Sequence, residues 1–75
     1  MAGRAKYTAA DLLVKVEGLL EQMQHDVAVR FLEKAREQEP DNIAVLDTLG
    51  ETLLELGRPQ EAYEIRASRY LFVAR

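Results

Sequence analysis

Apolar residues return every three or four positions along the first half of the chain: Leu12, Val16, Leu19, Leu20 and Met23, then, after a short polar break, Val27, Ala28, Phe31, Leu32 and Ala35. This is the period of helices that bury one face, and it predicts a pair of about 15 and 13 residues. The first starts at "TAAD", where Thr8 caps, Asp11 reaches back to complete a capping box, and Tyr7 and Leu12 are placed as a hydrophobic staple. "EPDN" ends the pair, since Pro40 disfavours helix at Glu39 while Asp41 or Asn42 offers a capping oxygen to the next helix. A second stripe, Leu46, Leu49, Gly50 and Leu53, runs into Gly57, which suits a left-handed helix end, and Pro59, which suits a first helical turn.

Laid against itself at an offset of 34, the chain matches Leu12 with Leu46, Leu19 with Leu53, Leu20 with Leu54, Glu21 with Glu55 and Ala28 with Ala62. It is two copies of one helix-turn-helix unit. The turns differ in one respect: Met23 stands where the second copy has Gly57, and a side chain in a left-handed cap costs about 1 kcal/mol. The first turn is therefore expected to be the softer one.

These residues resemble the tetratricopeptide repeat, a helical hairpin of 34 residues that stacks into superhelices. The resemblance rests on Leu46, Leu49, Gly50, Leu53 and Ala62 in the second copy and on Leu12, Leu19, Ala28, Leu32, Ala35 and Pro40 in the first. It implies an all-α fold of two stacked hairpins, an α-solenoid fragment. The units are an N-terminal segment 1–8, a first repeat 9–42 and a second repeat 43–75. The pattern is broken by Lys15 and Val16 in the first copy, and by Arg66, Arg69 and Ala74 after residue 65, where the second repeat reads as divergent or truncated. Small residues on apolar faces (Ala28, Ala35, Gly50, Ala62) are expected to let helices approach closely.

Chemistry is sparse. The 75 residues include no cysteine and one histidine, which removes disulfides, thiolate catalysis and zinc sites built on Cys. His25 has only Asp26 beside it, Ser68 lacks a base, and Gly50 has no phosphate-cradling companions. The expectation is a binding protein, not an enzyme, without cofactor or metal. No apolar run reaches the roughly 20 residues that span a bilayer, and the start lacks the apolar segment of a secretory signal. Cytosol or nucleus is the expected compartment.

Charge points to the partner. The chain carries 13 acidic and 10 basic residues, net −3. Glu33, Glu37 and Glu39 alternate with Arg30, Lys34 and Arg36 as a solvated, salt-bridged face. In the family the first helix of each repeat lines the concave surface, and the outward positions there are Glu17, Glu21, Asp47, Glu51 and Glu55, with Thr48 and Thr52 among them. Such a surface either solubilises the helices or attracts a basic protein segment, and its sign disfavours nucleic acid. Leu13, Glu17, Asp47 and Glu51 stand where relatives that grip acidic peptides carry Lys, Arg and Asn. "AVRFLEKAREQEPDN" followed by "LDTLGETLLELG" is similar to the fungal chaperones of ribosomal proteins within the family, which implies a chaperone or adaptor holding a basic client.

The end "EIRASRYLFVAR" fits no polar capping helix, because Tyr70, Leu71, Phe72 and Val73 are consecutive and some must be exposed. It reads as the truncated or misread end of a longer repeat protein; the alternatives are a self-associating dimer surface and a membrane- or partner-binding tail enriched in Arg66, Arg69 and Arg75.

Overall fold

Four helices in two antiparallel hairpins make up the all-α fold: α1 (Ala9–Glu21), α2 (His25–Gln38), α3 (Ile43–Glu55) and α4 (Pro59–Val73). The computed structural model describes residues 7–73. Each helix packs on its neighbour in chain order, so α2 and α3 join the hairpins.

Local sequence accounts for the ends. Thr8 Oγ1 accepts from the Asp11 N–H at 3.2 Å while Asp11 Oδ2 accepts from the Thr8 N–H at 3.1 Å, a closed capping box. Asn42, rather than Asp41, caps α3 by accepting from the Val45 N–H at 3.2 Å. Both hairpin turns are Schellman motifs: the Gln24 N–H donates to the Leu19 carbonyl and the Met23 N–H to that of Leu20, as Arg58 does to Leu53 and Gly57 to Leu54. Met23 (φ 61°) and Gly57 (φ 75°) are both left-handed. α1 is 13 residues, shorter than the apolar pattern suggests, because Met23 belongs to the turn and is 78% exposed instead of extending the stripe.

Burial compared between repeats separates two kinds of contact. Leu12 and Leu46, Val16 and Gly50, Leu19 and Leu53, and Ala28 and Ala62 are buried in both copies and hold each hairpin together. Other positions are buried in one copy alone. In α2 these are Val29, Leu32 and Ala35, whose counterparts Tyr63, Arg66 and Arg69 are exposed or half-exposed; in α3 they are Val45, Leu49 and Thr52, whose counterparts Asp11, Lys15 and Gly18 are not buried. α2 and α3 each pack against a helix on either side, so they bury a wider arc than α1 and α4. Ala35 and Val45 share one buried cluster accordingly.

Several expectations change. Pro40 is exposed in the inter-repeat turn and acts on the backbone, not in the packing. Phe31 is half-buried, while Ala9, Val29 and Val45 join the core. Thr52 faces inward at 2% exposure and satisfies its hydroxyl by donating to the Thr48 carbonyl at 2.7 Å. The α2 charges are solvated, but no ion pair joins Glu33, Glu37 or Glu39 to Arg30, Lys34 or Arg36. Tyr7 is 54% exposed and lines a shallow groove with Leu12 and Phe31.

α4 continues through the point where the pattern breaks, because α3 compensates. Leu32 and Val16 of the first core become Arg66 and Gly50: a Cβ at Gly50 would lie 3.4 Å from both Arg66 Cγ and Nε, so the arginine stem lies over the glycine. Leu13 and Ala35 become Asp47 and Arg69, an ion pair with Nε 2.8 Å from Oδ1. The Arg69 N–H is not aimed along that line and Nε has no directed hydrogen bond, so the contact is ionic. Gly50 thus faces a flexible side chain, with the nearest backbone atom, the Ala62 carbonyl oxygen, 3.9 Å from the added carbon. Tyr70 and Leu71 are 66% and 69% exposed. The side chains of Phe72 and Val73, residues 1–6, and Ala74 and Arg75 lie outside the described residues.

Candidate protein-binding groove

The Schellman turn after α1 swings the chain back so that the end of α1, the start of α2 and the end of α3 meet. Between them lies an open groove lined by Leu20, Met23 and Leu56 as apolar surface and by Glu21, Asp26, Glu51 and Glu55 as acids. The repeat explains part of this: Glu17 and Glu51, and Glu21 and Glu55, are equivalent positions and all four are exposed, so stacking two hairpins multiplies acids along one side.

His25 sets the corner. Its Nε2 lies 2.5 Å from Glu55 Oε1, an ion pair when the imidazole is protonated, with the His25 side chain 15% exposed and that of Glu55 65%. This contact spans 30 residues and ties the first turn to the end of α3. Adjacency in sequence points to Asp26 as the partner of His25; the actual partner is invisible without the stacking of α2 on α3.

The five predicted acids are not equivalent. Glu21, Glu51 and Glu55 line the groove, whereas Glu17 is exposed on α1 outside its lining. Asp47, one turn before Glu51, is half-buried and held by Arg69. Asp26, Leu20 and Leu56 complete the groove and were not anticipated. Thr52 lines it from below with its hydroxyl already used. Glu21, Asp26 and Glu51 form no ion pair among the described residues, so the groove keeps uncompensated negative charge. No group of three or more His, Cys, Asp or Glu among the described residues is arranged to hold a metal ion, and no helix among them is long and apolar enough to cross a membrane.

The tetratricopeptide repeat family model matches residues 19–67, from the last turn of α1 into α4. The chain belongs to the tetratricopeptide repeat family. No curated protein and no solved structure matches it. Tetratricopeptide repeats mediate protein–protein interaction and are generally non-enzymatic. The groove offers a protein partner both charge and apolar area.

Proposed function

We propose that this tetratricopeptide repeat chain holds a basic segment of a client protein in the groove between α1, α2 and α3, acting as an adaptor or chaperone. The observation that carries the proposal is the convergence of Glu21, Asp26 and Glu51, none of them ion-paired among the described residues, around apolar Leu20, Met23 and Leu56. Lysine and arginine side chains suit such a place twice over: their heads answer the carboxylates and their methylene stems cover the apolar floor. The field of the acids also concentrates cationic segments and speeds encounter. Clients of this chemistry include the basic segments of ribosomal proteins, and the working compartment is the cytosol or nucleus.

The test is binding of a fluorescent Lys/Arg-rich peptide at low and high salt. Glu51→Lys is expected to lower the association rate by roughly tenfold or more, whereas Asp47→Asn, at a carboxylate already held by Arg69, is expected to change it little. A parent protein that ignores the peptide at low salt would leave the acids as a solubilising surface.

A further inference from the structure

Some positions buried in α2 are uncovered in α4. Tyr63 is 74% exposed where its counterpart Val29 is 4%, and Tyr70 is 66% exposed one turn beyond Arg66. Tyr63, Arg66 and Tyr70 follow each other at helical spacing, so they form one stripe. Tyrosine and arginine are enriched among the side chains on which interfaces most depend, tyrosine because it brings large contact area at little rotamer entropy and arginine because its planar fork matches carboxylates. Arg66 makes no ion pair among the described residues, and its stem is steadied over Gly50. Arg69, its neighbour one turn on, is occupied by Asp47.

Elsewhere on the same molecule the groove offers the complement: Glu21, Asp26 and Glu51, without an ion pair among the described residues, around Leu20, Met23 and Leu56, with Met23 78% exposed. A helix bearing a cation between two aromatic rings matches an acidic groove with an apolar floor in charge and in form.

We propose that the α4 stripe of one copy docks in the acidic groove of a second copy, so that a partner of the groove is this chain itself. This rests on the groove's taking basic segments, as inferred above. The two patches differ, so the contact is heterologous: each copy that receives a helix still presents its own. Assembly then grows with concentration instead of stopping at a closed pair. Because the match is electrostatic, it weakens as salt rises.

Sedimentation of the full chain tests this. The parent is expected to gain mass with concentration up to about 100 µM at low salt, a range suited to a small interface. Raising salt from about 50 to 500 mM should weaken association by at least about tenfold. Two double variants separate the patches: Tyr63→Ser with Arg66→Ala removes the stripe, and Glu21→Lys with Glu51→Lys reverses the groove. All four residues are exposed, and circular dichroism checks that both variants fold. Neither should associate alone, while their equimolar mixture should form a two-chain complex, since one intact stripe meets one intact groove.

A monomeric parent, a mixture that stays monomeric, or a groove variant that still associates overturns the proposal. So does association abolished by Leu71→Ser but kept by the groove variant, which would place the contact on the apolar end of α4. A labelled hexa-arginine peptide tells this failure from failure of the groove itself. A monomeric parent that binds the peptide leaves the client-binding function standing, and one that does neither sinks both.

Discussion

Met23 and Gly57 hold the same left-handed backbone conformation at equivalent places in the two hairpins, φ 61° and φ 75°. One bears a side chain and the other does not. Both close the same pair of hydrogen bonds, so the geometry of the turn is common and only its steric cost differs. Met23→Gly is expected to raise stability by about 1 kcal/mol, and Gly57→Ala to lower it by a similar amount. Urea unfolding followed by circular dichroism measures both, and an unchanged midpoint for Met23→Gly would mean that methionine bears no strain there.

The backbone was legible in the sequence because its signals are local. Caps at Thr8 and Asn42, the helix end at Gly57 and the helix start at Pro59 need only neighbouring residues to act. The apolar period marks which face of a helix turns inward, but a helix with neighbours on two sides buries a wider arc. Val29 and Val45, outside the stripes named from the sequence, are buried for that reason. The groove was legible only in part: Glu21, Glu51 and Glu55 follow from the repeat, whereas His25 and Asp26 reach it through the stacking of hairpins. The irregular residues of α4 looked like decay of the pattern, yet Arg66 and Arg69 find Gly50 and Asp47 on α3.

Gly50 offers a way to measure the first of those fits. An added methyl there would press most closely on the bendable stem of exposed Arg66, with the Ala62 carbonyl oxygen at ordinary contact distance, and alanine favours helix over glycine by about 0.5–1 kcal/mol. Gly50→Ala should raise the melting temperature. A drop would show that the arginine stem is fixed and the site already full.

The pair Asp47 and Arg69 has the opposite character, with 48% and 35% of the side chains exposed. Partly solvated pairs contribute little, so a double-mutant cycle between Asp47→Leu and Arg69→Ala should return a coupling of about 0.5–1 kcal/mol. The double variant recreates the Leu13 and Ala35 of the first repeat and should be at least as stable as either single change. Coupling near zero would mean the contact adds nothing.

At the start of α4, Arg58 donates from Nε and Nη2 to the two carboxylate oxygens of Glu61, each at 2.7 Å. This bidentate hydrogen bond pulls the Glu61 carboxyl below its ordinary pKa, the attraction of the Arg58 charge adding to it, and raises that of Arg58. A lowered carboxyl contributes stability at pH above its unfolded value and loses it as pH falls through the folded one. The contribution of Glu61 should therefore fade on the acid side alone. NMR titration of the Glu61 side chain reads this directly, and Arg58→Ala should return it toward the ordinary carboxylate range.

The compensated differences between the hairpins determine what is interchangeable in this molecule. Moving α4 alone into the place of α2 would set Arg66 against buried Val16 and Arg69 against half-buried Leu13, two mismatches in one step. Moving α3 and α4 together carries both answers along. The heritable part is thus the pair of helices and its turn, and a graft, a gene fusion or a recombination breakpoint in this chain should succeed between Gln38 and Ile43 and fail between Glu55 and Pro59.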